Sequence, residues 1–339
     1  MNNIYGGYYP FEINYEAEEK KRQKKSLKST SNKVGLFVTA YFLSMYLISI
    51  ILGVLTGFGM ISKTSETQYF TQMLYSVGAS FIPGIIFLLA MKGKVSDVLT
   101  KTLVKPTTLI PVLMFGMGVA MLANIAATIF DNNISIFELK NQVSFDMEGT
   151  TIFEFIMSVI TTALVPAFAE EFAFRGLAMS YLRKHGDAFA IFGSSLLFGA
   201  MHGNTTQIVF AFLLGLIFAF VDVKTNSIIP SVIIHFVNNF YAVLSNTLIA
   251  NKVMPEQYIN IICIGLMAAF SLLGVLSAIY LSKADRDFFK LDDKTPETFL
   301  LSFKEKIGSF IANPGVLIAL SLFTAEMIAN LIPREYLGL

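Results

Sequence analysis

The chain of 339 residues has no tryptophan, one cysteine and three histidines, and only 14% of its residues are charged. Each scarcity excludes something. A single cysteine, Cys263, forbids an intrachain disulfide and any cysteine metal cluster. So little charge, set against 54% hydrophobic residues, is far from the composition of a water-soluble globular chain. There is no internal repeat, no low-complexity tract, no second soluble domain and no His-Glu-x-x-His helix. Barrel-like alternation is missing as well, which leaves helices as the bilayer-crossing elements, because lipid requires backbone hydrogen bonds to be satisfied internally. The expected fold class is all-α, a polytopic membrane helical bundle.

What is present is a series of apolar runs. A spanning helix needs about 20 mostly apolar residues. Nine stretches qualify or nearly do: Val34 to Ile61, Tyr69 to Met91, Leu109 to Phe130, Thr151 to Leu182, Ala188 to Met201, Gln207 to Val223, Ser227 to Ala250, Tyr258 to Leu281 and Pro314 to Ile332. Ala188 to Met201 is short for a full span and is followed by Gly203 and Asn204, so eight to nine transmembrane helices are expected, with one turning part-way in protein-lined space. Lys20, Lys21, Arg22, Lys24, Lys25, Lys28 and Lys33 precede the first run, which favours a cytoplasmic N-terminus. Residues 1–33 read as a polar and basic cytoplasmic tail, because no basic start followed by an apolar core marks a cleavable signal. Residues 34–339 read as the transmembrane domain. Threaded from an inside N-terminus, the Lys92 to Lys105 loop, the Arg183 to His185 link, the turn near Lys224 and the Lys283 to Lys306 loop all fall inside. The Asp131 to Thr150 loop, with Lys140 as its one cation, falls outside, so charge bias and threading agree.

Three polar clusters interrupt this pattern. Glu170, Glu171 and Arg175 lie on one apolar helix, after Pro166, a residue expected to kink it. An ionisable group at membrane depth costs roughly 2.5–3.5 kcal/mol on insertion scales and marks a functional site by default. Glu171 and Arg175, four apart, share a face and can neutralise each other, whereas Glu170 points about 100° away and is free to face a cavity. His202 follows Phe198 by one turn, and His235 and Asn239 are stacked one turn apart on a later helix. The plainer readings are a buried ion pair, a helix-end histidine and polar side chains that join helices, the last fitting Asn238 best. Depth argues for a common site. At 1.5 Å per residue, Glu170 lies about 20 Å from Arg183, His202 about 22 Å from Asp187 and His235 about 16 Å from Lys224, which is one slab reached from three helices.

A carboxylate beside an imidazole can hold and deprotonate water. An imidazole and an amide from another helix can donate to a developing oxyanion. Ser194 and Ser195 stand about two turns before His202 on the same helix, poor geometry for a serine nucleophile.

The ordered set Glu170-Glu171-Phe-Ala-Phe-Arg175, Phe198-Gly-Ala-Met-His202 and His235-Phe-Val-Asn-Asn239 resembles the three motifs of the CAAX-protease and bacteriocin-processing family of intramembrane endopeptidases. The resemblance covers about residues 150–250. It implies a helical catalytic core in which Glu170 and His202 activate water, His235 and Asn239 stabilise the oxyanion, and Glu171 and Arg175 support the architecture. It implies a membrane-associated peptide or protein substrate, lipidated in the CAAX branch and linked to peptide processing and bacteriocin immunity in bacterial relatives, with no nucleic-acid partner. It favours a metal-independent mechanism with no cofactor. The alternative is a zinc site built from Glu170, His202 and His235, since zinc hydrolases commonly use two histidines and a carboxylate. Two non-protease readings compete. Intramembrane Glu, His and Asn also build proton relays in carriers, although the paired helix interruption of a symmetric carrier is missing. A non-catalytic scaffold would keep its activity in cells after Glu170→Ala. The last helix, with Glu326, has no counterpart in the motifs, and Glu326, seven residues before Pro333, reads as an interfacial acid.

Overall fold

The computed structural model describes residues 15–94, 102–135 and 151–331. Lys140 and Pro333 lie outside the described residues, as do most of the expected outer loop and Ile332 at the end of the last run. Among the described residues the fold is entirely helical. In chain order the helices are α1 (Tyr15–Gly57), α2 (Ser65–Met91), α3 (Pro106–Ser135), α4 (Ile152–Arg183), α5 (Asp187–Ala200), α6 (Thr205–Thr225), α7 (Ile229–Ala250), α8 (Glu256–Ala284), α9 (Phe303–Ile311) and α10 (Pro314–Leu331). Eight are long and apolar enough to cross a membrane, all but α5 and α9. The chain is therefore an integral, multi-pass helical membrane protein.

Two boundaries differ from the sequence reading. The expected tail is not separate from the first span, because from Tyr15 onward it is the opening of α1. Gln23, Leu27, Thr30 and Ser31 are buried there, and the Gln23 side chain accepts the Leu300 N–H at 3.0 Å. The basic residues occupy the other faces of these turns, so the apolar and small residues between them pack inward. The second difference is α9, a short amphipathic helix opened by a Ser302/Glu305 capping box. Its length and mixed polarity gave no spanning signal.

The charged segments converge at one end of the bundle. The Asp187 N–H donates to the Asp292 carbonyl (2.8 Å), Lys20 pairs with Glu305 (2.8 Å), and the Asn313 side chain donates to the Lys28 carbonyl (2.8 Å). Lys306, fully buried, pairs with Asp293 (3.1 Å), and Lys224 donates to the Lys290 carbonyl. His185 is buried there against Thr30, and burial, then the charges of Lys184 and Lys306, push its pKa down to about 4. Away from this end the outward faces of α1, α2 and α8 expose Leu, Ile, Val and Phe, as a lipid-facing surface requires.

The short helix α5 has 14 residues. At about 1.5 Å each it cannot cross a core about 30 Å thick. It ends at a buried turn, where Gly203 takes φ +61° and Asn204 caps α6 by accepting the Thr206 and Gln207 N–H groups, both at 3.1 Å. The expected part-way turn is thus lined by protein, and it carries His202.

Candidate active site

Helix α4 is built from alternating α and π turns, with π segments at Val159–Leu164 and Phe172–Met179. Pro166 lies between them and gives the helix no N–H. The Thr162 carbonyl, in the first π segment, accepts the Asn239 side-chain amide from α7 at 3.2 Å. The Asn239 oxygen accepts from Asn238 at 3.3 Å, and Asn238 in turn accepts from Asn124 of α3 at 3.3 Å, the helix-joining role expected for Asn238.

Glu171 and Arg175 are sealed behind the site. Glu171 Oε1 accepts from Arg175 Nη1 (3.1 Å) and from His235 Nδ1 (2.9 Å), so one oxygen ties α4 to α7. Arg175 also donates to the Gly215 carbonyl of α6 (3.3 Å), and its guanidinium lies 4.3 Å from the Phe198 ring centroid and 5.2 Å from that of Phe218. These rings replace water around a charge that is 2% exposed. Phe218 also stacks on His235 at 5.2 Å, which fixes the imidazole plane. Asp222, buried at the end of α6, accepts the Ser231 N–H (3.1 Å) and hydroxyl (2.6 Å). Ser231 stands one turn before His235, so this cap holds the start of α7 and its rotation. Sequence reasoning missed Asp222, Phe218 and Thr162. An acid in the last turn of an apolar run was the one available signal, for Asp222.

Glu170 faces the other way. It lines a cavity of about 350 Å³ together with Phe198, His202, His235, Asn239 and Thr162. Its carboxylate Oε2 is 3.9 Å from His235 Nε2. His202 Nδ1 is 2.8 Å from the Phe198 carbonyl, and because a carbonyl only accepts, that nitrogen carries the proton. Nε2 is left with a lone pair. His235 Nδ1 likewise donates to Glu171, so its Nε2 is the nitrogen available to the cavity. Glu170, His202, His235 and Asn239 therefore meet at one space from three segments, α4, the end of α5 and α7, while Glu171 and Arg175 stand outside it. Among the described residues no three His, Cys, Asp or Glu side chains are grouped to hold a metal ion.

Fold and cavity together define a helical membrane protein with an acid, two imidazoles and an amide around a buried space. Residues 152–241 match the family model for type II CAAX prenyl endopeptidase Rce1-like proteins. That is the family which the three motifs resemble, and the matched segment runs from the start of α4 into α7, with all six expected site residues inside it. The family is one of membrane peptide-bond hydrolases. No curated protein and no solved structure matches the chain.

Proposed function

We propose that the protein is an intramembrane endopeptidase in which Glu170 and His202 activate a water and His235 and Asn239 receive the oxyanion. The observation that carries this reading is the convergence of these four side chains on one cavity. Glu170 brings an acceptor to it. His202, with Nδ1 committed to Phe198, brings a second acceptor at Nε2, so a water between them has two sites to which it can donate. Attack of that water on a peptide carbonyl places negative charge on the carbonyl oxygen. Asn239 keeps one amide hydrogen free while the other holds Thr162. His235 donates to the oxyanion only if Nε2 carries a proton while Nδ1 serves Glu171, so this role requires the imidazolium. Proton return to the leaving amine falls to Glu170 or His202.

The substrate we infer is a membrane-associated peptide or protein, because the reacting groups lie in a slab about 16–22 Å from the charged end. We infer also that this charged end faces the cytoplasm, from the basic residues gathered there. The test is cleavage of a fluorogenic library of prenylated and unprenylated membrane peptides by the purified full chain. Wild type and Glu170→Ala are compared, each with and without a strong chelator. Cleavage is expected to fall by roughly 10²- to 10⁴-fold in Glu170→Ala and to survive chelation. Loss on chelation with recovery on adding zinc would replace water activation by Glu170 and His202 with a zinc mechanism. Cleavage retained by Glu170→Ala would remove Glu170 from the reaction.

A further inference from the structure

Helix α10 lies outside the matched segment, yet it reaches the turn that carries His202. It is pinned to α1 where Gly35 and Gly315 meet, since a Cβ on Gly35 would run into the Gly315 backbone. Higher up, Phe42 and Phe323 pack edge to face at 4.9 Å. One turn further, the Tyr46 hydroxyl donates to Glu326 Oε1 at 2.8 Å. Counted from Pro314, Glu326 lies about 18 Å along α10, the depth of the candidate site. Its carboxyl group is against Gly203, where an added Cβ would sit 2.5 Å from the carboxyl carbon. Asn330, one turn on, donates its amide to the Gly203 carbonyl at 2.8 Å.

We infer that Asn330 is a positioning residue for His202, with Glu326 packed beneath the same turn, so that the last helix completes the candidate site. The inference rests on the peptidase reading for its catalytic consequence, but its structural part stands apart from it. His202 is at a helix end, where backbone bonds run out. Its N–H reaches back to Gly199 (3.1 Å) and its imidazole to Phe198 (2.8 Å), so ring and α5 end move as a unit. Onward, the chain is fixed by the Asn204 cap on α6. Between these two anchors is Gly203, at a positive φ that an L side chain rarely adopts, and its carbonyl accepts the Asn330 amide of α10. Releasing that carbonyl frees the last turn of α5 to shift, and His202 with it, relative to Glu170 on α4.

Three histidines in the chain make the imidazoles individually observable. Nitrogen-15 histidine spectra of the full chain in detergent, assigned with His185→Gln and His235→Gln, report on His202 without any substrate. Asn330→Ala and the isosteric Asn330→Asp, which removes the donor, are each expected to shift or broaden the His202 signals and leave those of His185 in place. On a cleaved peptide both are expected to lower kcat by roughly ten- to a hundredfold, with KM changed less than about twofold. Ile328→Ala, on the same helix and 49% exposed, serves as the control for general loosening. Unchanged His202 signals in the Asn330 variants, or the same change in Ile328→Ala, would overturn the inference. Shifted His202 signals in a protein that cleaves no peptide would uphold the positioning role while the peptidase reading fell. Should Asn330→Ala not fold, Asn330→Asp carries the test.

Discussion

Glu170 and Glu171 are neighbours in sequence with opposite surroundings. The side chain of Glu170 is 21% exposed on the cavity and that of Glu171 is 0% exposed between Arg175 and His235. Their substitutions should separate accordingly. Glu171→Ala leaves Arg175 buried with a lost partner and is expected to cost about 3–5 kcal/mol of stability. Glu170→Ala removes a cavity-facing group and is expected to stay within about 1 kcal/mol of wild type while lowering cleavage by roughly 10²- to 10⁴-fold. Thermal melts of the purified proteins in one detergent decide this, and equal destabilisation by both would refute the division of labour. The difference in surroundings was legible in the sequence, because a 100° step along a helix separates adjacent side chains while a four-residue spacing aligns them. The aromatic seal of Phe198 and Phe218 around Arg175 was not. Phenylalanine is abundant throughout, with 32 in the chain, and nothing local marks the two that meet a cation.

Among the helices, the long apolar runs announced themselves because a bilayer sets a minimum length that chance rarely supplies. What stayed hidden were features decided by contacts between distant segments. These are the helical packing of residues 15–33 as part of α1, the π turns of α4, and the grip of α10 on Gly203. Asn239 shows why. The sequence offers its amide, but which group the amide holds depends on where α4 lies, and the structure sets it on the Thr162 carbonyl. Asn239→Ala is expected to cost about 1 kcal/mol, the net worth of one hydrogen bond, and to lower cleavage, as read by thermal melts and by the peptide assay. An unchanged cleavage rate would remove Asn239 from the reaction.

Across the described residues, basic side chains gather at one end of the bundle and a polar cluster lies in a slab between its ends. The orientation of that charged end has a direct check. With Cys263 replaced by serine, a cysteine at Asn226 is expected to react with an impermeant thiol reagent only after the membrane is opened, and one at Lys252 in intact cells. The reverse pattern would invert the topology. The arrangement of the slab bears on how such a chain enters a bilayer at all. Glu171 and Arg175 belong to the same helix, four residues apart, and pair at 3.1 Å without help from any other segment. Helix α4 can therefore enter lipid during synthesis with its arginine already neutralised, before α6 and α7 have been made. His235 and the aromatic rings reach an ion pair that is already formed, and assembly never requires a lone guanidinium to wait in hydrocarbon.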